Sequence, residues 1–340
     1  MYGPRGVAID GDTLIVADSG NHRVLIWRSM PTRDHQPADI VLGQHDLEGE
    51  TPGLLHLPTG VGVYDGRLYV ADAWHHRILI WNRVPDANDA PPDAVLGQAD
   101  LAGVQENRGA RASCDTLYWP YGLAYVGGRF YVADTGNRRV LVWHRLPRGG
   151  EPADAVIGQP DFESTDENRG GPVSASSFRW PHAVCGVARD GRDELYVADA
   201  GNHRVLMWKD VRAALAGRDA DGAIGQPNLV SNREWPYGPQ GPSALRFPYF
   251  VASAGDDLYV ADTANNRVLL VDSRMDRAAV PAAHAVLGQH SFDDSGENRW
   301  NAVECDSLCW PYGLAIAGDT LAIADSGNNR VMLWRRTARD

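Results

Sequence analysis

The sequence predicts an all-β fold: a closed ring of six four-stranded blades, the sixth with only three strands. Three observations carry this expectation. A hydrophobic run ending in Ala-Asp, a Gly/Asn turn, an Arg and a second hydrophobic run recur six times, from LIVADSGNHRVLIW (14–27) to LAIADSGNNRVMLW (321–334). The copies lie 54 to 65 residues apart along the 340-residue chain, and strand-rich units at such a period build radial arrays. A second signature, Val-Leu-Gly-Gln or a close variant, follows five of the six copies, at 41–44, 95–98, 156–159, 223–226 and 286–289.

The third unit shows how each element is predicted. Trp119-Pro120-Tyr121-Gly122-Leu123-Ala124 opens a first strand, with proline at the position where a strand tolerates it. Gly127-Gly128 turns the chain into a second strand, Phe130 to Ala133, rich in β-formers. Asp134-Thr135-Gly136-Asn137 is the next turn, with Gly and Asn suited to positive φ. Val140 to Trp143 is the third strand and Ala155 to Gln159 the fourth. Four short antiparallel strands per unit make a blade of a β-propeller. The blades are expected at 4–44, 58–98, 120–159, 181–226, 248–289 and 311–334, all within one domain, 1–340. The last unit ends at Trp334 with a charged tail, 335–340, and only three residues precede Pro4. The sixth blade should therefore lack its fourth strand. Its open edge is a natural place for another chain to pair, including a second copy in a homodimer.

The net charge of −12 argues against bulk affinity for nucleic acid or anionic membranes. Four cysteines are too few for a disulfide scaffold. Cys305 and Cys309 lie four apart, but no second cysteine pair or nearby histidine completes a metal site. No apolar stretch approaches the roughly 18–20 residues of a membrane span. There is no nucleophile elbow, phosphate loop or dinucleotide fingerprint, so no cofactor is predicted. Met1 runs directly into the first repeat, which gives a cytoplasmic expectation, or a secreted or periplasmic one if the start is truncated.

The repeated Asp and Arg look catalytic one at a time. Asp18, Asp72, Asp134, Asp199, Asp262 and Asp325 end the second strands, and Arg23, Arg77, Arg139, Arg204, Arg267 and Arg330 begin the third. A reaction needs one site and a scaffold needs six, so these pairs are expected to pin turns through charge-assisted hydrogen bonds. His22, His76 and His203 share that turn with Arg138, Asn266 and Asn329 and belong to the scaffold too.

The turn Gly-Asn-His-Arg-Val-Leu, at 20–25 and 201–206, resembles the NHL repeat, and the resemblance extends over all six units. It implies a six-bladed NHL propeller. The segments after Gly-Gln, such as Gly158 to Phe162, are similar to those of a bacterial subgroup. Relatives in the family include RNA-binding and protein-binding modules, bacterial sensor domains and a zinc-dependent amidating lyase, so the fold alone does not choose a function. The lyase's metal histidines resemble the His of Pro181-His182, but only this blade keeps one. A three-histidine zinc site cannot be assembled, no metal is predicted, and that activity is not carried over.

Function must lie where the repeats disagree. Four links between blades are long, 99–119, 160–180, 227–247 and 290–310, and the link 45–57 is shorter. All should emerge on the face of the Asp-x-Gly-Asn turns, where binding usually resides. Each long link carries an Asn-Arg pair, so Arg108, Arg169, Arg233 and Arg299 are candidates for an anion site, or else for anchors of their own loops. The residue after the first-strand proline varies most: Arg5, Thr59, Tyr121, His182, Tyr249 and Tyr312 should ring the channel mouth. Such a ring could grip a small aromatic or carboxylated molecule. The leading expectation is a binding module for a small molecule, peptide or protein on this face. The alternative is a lyase or hydrolase with His182, Arg5 and the tyrosines as acid/base and anchoring groups. That alternative requires an open pocket and a solvent-exposed His182 hydrogen-bonded to a tyrosine.

Overall fold

A computed structural model describes residues 1–234, 240–274 and 280–335. The middle of the link 227–247 (235–239) and the tail beyond 335 lie outside the described residues. Five sheets have four strands and one has three, each with its strands in chain order. The three-stranded sheet is the sixth blade: Pro311–Ala317, Thr320–Asp325 and Arg330–Arg335. First strands touch one another in cyclic order, with the last, Pro311–Ala317, against the first, Gly6–Asp10. They therefore line the axis, and the ring of blades closes. The one α-helix among the described residues, Val211–Leu215, was not expected. It fills the gap between third and fourth strands of the fourth blade, capped by Asp210, whose side chain accepts from the Arg212 N–H. No helix among the described residues is long and apolar enough to cross a membrane.

The core lies between blades. Tyr131, Val140 and Val142 of the third blade pack against Val184, Leu195 and Trp208 of the fourth, and equivalent clusters fill the other gaps. The fourth strands end one residue before their Gly-Gln pairs, because the glycine takes a positive φ, +85° at Gly43 and +94° at Gly158. A Cβ at Gly158 would stand 2.1 Å from the Phe178 ring. Conformation and space both demand glycine there. The following glutamine folds back into its own link: Gln289 Nε2 donates to the Asn266 and Gly296 carbonyls at 2.9 and 2.8 Å.

The Asp–Arg pairs pin turns as expected, and they reach further. One oxygen of Asp134 accepts the Tyr118 backbone N–H at 2.7 Å, and the other accepts Asn137 at 2.8 Å and Arg139 Nε at 2.7 Å. Arg139 then donates to the Ser113 and Thr116 carbonyls at 2.9 and 3.0 Å, and to the Phe162 carbonyl. Ser113 and Thr116 lie in the link before the blade and Phe162 in the link after it. Arg204 repeats the pattern with Ser174, Ser177 and Leu229, and Arg267 with Gly241, Ala244 and Phe292. Each of these guanidiniums, fully buried, ties together two links and one turn.

Candidate functional site

The links, the Asp-x-Gly-Asn turns and the starts of the first strands share one face of the ring. On five of the first strands the register slips just after the proline, as between Pro181 and Ala183 or Pro58 and Val61. Such bulges re-aim a side chain, and here they turn the residue after the proline off the sheet toward the axis.

Five of the six predicted ring residues meet. Arg5 Nη1 donates to the Tyr121 hydroxyl at 3.0 Å. The Tyr121 ring lies 4.5 Å from the His182 ring, which stacks on Tyr249 at 4.3 Å and 13°. Tyr249 meets Tyr312 at 4.7 Å, and the Arg5 guanidinium closes the circle 5.3 Å over Tyr312. The sixth residue, Thr59, turns aside: it is 3% exposed and donates to the Pro120 carbonyl at 3.0 Å. This bond replaces another. Ser19, Thr135, Thr263 and Ser326, the first residues of four turns, donate to the proline carbonyl that opens the next blade. The second blade has Ala73 there and cannot, so Thr59 serves Pro120 instead.

The mouth is packed shut. The free space at its centre is about 20 Å³, room for one water and none for an aromatic or carboxylated molecule. His182 is 8% exposed, and its Nδ1 donates to the Trp180 carbonyl at 3.0 Å. Burial lowers its pKa to about 4, against the Trp180 carbonyl and with Arg5. Burial likewise raises the phenols of Tyr249 and Tyr312. The conditions set for a lyase or hydrolase are therefore unmet: there is no open pocket, and His182 meets Tyr121 and Tyr249 by ring faces rather than hydrogen bonds.

The four Asn-Arg pairs do not converge as an anion site. Asn107 and Arg108, Asn168 and Arg169, and Asn298 and Arg299 adopt positive φ. Each asparagine reaches the turn asparagine of the next blade: Asn107 and Asn137 exchange bonds of 3.0 and 2.9 Å. Each arginine holds its own loop. Arg108 donates to Asp115 at 2.6 Å, Arg169 to the Gly158 and Ser176 carbonyls at 3.0 and 2.8 Å, and Arg299 to Glu304 at 2.7 Å and to Asp306. Arg233 is not their equivalent. Gln226 Nε2 bonds the Arg233 carbonyl as Gln98 bonds that of Gln105, so Arg233 stands three places before the position of the other link arginines, which lies outside the described residues. Gln240 fills the asparagine's role, accepting from Asn265 at 3.1 Å.

The turn histidines acquire a reason. His22, His76, His203, Asn266 and Asn329 all sit at φ of 54–56°. Each accepts a backbone N–H at the entry of the next blade: Leu57 on His22, Trp119 on His76, Phe247 on His203, Trp310 on Asn266 and Gly3 on Asn329, at 2.8–3.2 Å. An acceptor on a short side chain that tolerates positive φ is what this place requires. The bond to Nδ1 leaves the ring proton on Nε2, so these histidines work uncharged. Burial lowers the pKa of all three, that of His76 to about 4.

Trp119, Trp180, Phe247 and Trp310 precede the first-strand prolines, next to the ring residues, and further tryptophans join them on this face. Trp119, Phe247 and Trp310 hold φ of 48–51°, where the first blade has Gly3. Trp300, 82% exposed at φ 58°, replaces the glycine that follows the other Asn-Arg pairs, Gly109 and Gly170. Trp74, 45% exposed, replaces the turn glycine of Gly20, Gly136, Gly201 and Gly327, and lies 5.9 Å from Trp119. Trp180 and Phe247 stack at 6.4 Å. Aligning each tryptophan against glycine in the other repeats would have found these positions. Beside Tyr118 opens a cleft of about 410 Å³ lined by Glu106, Arg111, Arg138 and Glu163. No cluster of His, Cys, Asp and Glu among the described residues could hold a metal.

The family described as NHL repeat matches residues 1–27. Over 359 residues the chain is 24% identical to NHL repeat-containing protein 2 of Gallus gallus, covering 96% of this chain and 46% of that protein. The human protein of that name is 22% identical over 364 residues, again with 96% and 46% covered. The chain thus spans about half the length of the curated relatives it matches. Among solved structures, hydrazine synthase of Kuenenia stuttgartiensis superposes with a TM-score of 0.53 at 14% identity, over 100% of this chain and 97% of that one, a likeness of fold alone.

Proposed function

We propose that this chain, whose first repeat matches the NHL-repeat family over residues 1–27, is a protein-binding module of that family whose partner docks on the loop face around the closed channel mouth. One observation carries this reading. Large aromatic side chains at Trp74, Trp119, Trp300 and Trp310 stand exposed on this face, at positions where other blades use glycine. Three of them hold a positive φ, which is unfavourable for a bulky residue. The scaffold closes without them in the blades that have glycine, so their exposure is better explained by contact with a partner. Tyrosine and tryptophan dominate the energetics of such contacts. The polar cleft beside Tyr118 can receive a side chain of the docked segment. A space of about 20 Å³ at the mouth favours a surface-bound polypeptide over a small molecule, and the net charge of −12 disfavours nucleic acid.

The test compares the chain with a Trp74→Gly, Trp119→Ser, Trp300→Gly variant as bait in extracts of the source cells, after both show the same unfolding midpoint. The reading expects a defined partner that the parent retains and the triple variant loses. A partner retained equally by both would overturn it, as would RNA in the complex with a steep dependence on salt.

A further inference from the structure

We propose that the outer edge of the sixth blade is a strand-addition site for an extended segment of another protein, whose recognition element is two aliphatic residues followed by Gly-Gln. The inference concerns a different surface from the loop face and does not rest on that reading.

The five complete blades show what this edge is built to receive. In each, the middle of the third strand pairs with a short fourth strand, as Val24 with Leu42, Leu25 with Val41 and Ile26 with Ile40. Those third-strand residues are 0–4% exposed. Their counterparts Val331, Met332 and Leu333 are only half-buried, although the same strand pairs fully on its inner side. Three further groups are left in waiting. Arg23, Arg77, Arg139, Arg204 and Arg267 each give Nη1 to a carbonyl three residues past Gly-Gln, such as Leu229 at 2.6 Å from Arg204. Arg330 Nη1 has no such partner among the described residues. The indole N–H of Trp27, Trp81, Trp143 and Trp208 donates to a carbonyl just ahead of the fourth strand, at 2.9–3.1 Å, and that of Trp334 finds none among the described residues. The glycine of Gly-Gln packs under Leu55, Leu117, Phe178, Leu245 or Leu308, each at most 1% exposed. The residue in that place for the sixth blade, three before its neighbour's proline, is Met1, 43% exposed.

Edge, arginine, indole and thioether together form the negative of a Val/Ile-Leu/Ile-Gly-Gln strand, and main-chain pairing with side-chain pockets is how strand addition gains specificity. A second copy of this chain fits less well. Antiparallel pairing of Arg330–Arg335 with itself sets Arg330 against Arg335, like charges face to face, and brings neither a glycine for Met1 nor a carbonyl turn for Arg330.

The probe is a fluorescein-labelled peptide of residues 154–162, Asp-Ala-Val-Ile-Gly-Gln-Pro-Asp-Phe, titrated with the whole chain and followed by anisotropy and hydrogen exchange. Saturable one-to-one binding is expected, with new protection of the amides of Val331–Trp334. Replacing the peptide's Gln by Ala, or its Gly by Val, should weaken binding by at least about fivefold, the worth of a lost hydrogen bond or packing contact. The tryptophan variant of the loop face should bind the peptide unchanged. A scrambled peptide that binds as well, absence of binding at millimolar peptide, or a chain that sediments as a dimer with these amides already protected would each overturn the proposal.

Discussion

His76→Asn isolates what the turn histidines do. Asparagine stands at the same place in two other blades, at the same positive φ, and accepts the same kind of bond, Asn266 from the Trp310 N–H at 2.9 Å. The substitution keeps the acceptor for Trp119 and removes the proton equilibrium. His76 faces Tyr118, Glu106, His75, Asp72 and His56; burial outweighs the two carboxylates and holds its pKa at about 4. Because the folded value lies below the unfolded one, near 6.5, the neutral ring's contribution is complete above pH ~6.5 and is lost as pH falls toward 4. At pH 5 the unfolded ring is charged and the folded one is not, over about 1.5 pH units. At 1.36 kcal/mol per unit this is about 2 kcal/mol, an upper value because the ring is partly exposed. Urea unfolding of both proteins at pH 7.5 and pH 5.0 measures it. The parent should lose more stability between the two than His76→Asn, by up to about 2 kcal/mol, and the two should agree within about 0.5 kcal/mol at pH 7.5. Equal losses on acidification would refute the assignment of the neutral, accepting ring, as would a large deficit of the variant at pH 7.5.

Thr59→Val should cost about 1–2 kcal/mol by removing the donor to the Pro120 carbonyl, and adding Ala73→Thr should restore most of it in a double-mutant cycle by equilibrium unfolding, since threonine there makes that bond in two other blades. Arg139→Ala leaves Asp134 buried without its cation and strips three carbonyls from two links. A loss of about 3–5 kcal/mol is expected in urea unfolding, with faster hydrogen exchange in both links 99–119 and 160–180. Gly158→Ala forces a Cβ onto the Phe178 ring at positive φ and should cost at least about 2 kcal/mol by the same assay, whereas Gly11→Ala, in open space on a hairpin turn, should cost less, about 1 kcal/mol.

What the sequence revealed was whatever repeats. Six copies of one phrase fix the strands, the blade count and the missing fourth strand of the last blade, because periodic burial leaves a periodic record. The five residues of the closed ring were also legible, since they vary at one aligned position. What they do was not. Whether Tyr121, His182 and Tyr249 bound an open mouth or fill it depends on how far the blades close in, a distance that no local pattern encodes. Arg233 misled because Asn232-Arg233 repeats a dipeptide out of step. Counting seven residues from the glutamine, the spacing fixed by its bond to its own link, puts it three places early. Thr59 escaped notice for a different reason: its partner deficit lies at Ala73, on another strand, and only the fold joins the two.

The double grip of the buried arginines bears on how the loop face would meet a partner. Links of some twenty residues usually imply loops that must be ordered on binding. Here each is fastened by guanidiniums at both ends, by its own glutamine and, in three links, by an asparagine pair across to the next turn. The described residues of the face are thus held in place before anything arrives, and they have little conformational entropy left to lose when a complex forms. A surface of this kind selects by shape. It tolerates substitution between its anchor points without loosening, so the recognition pattern can change while the ring that presents it stays the same.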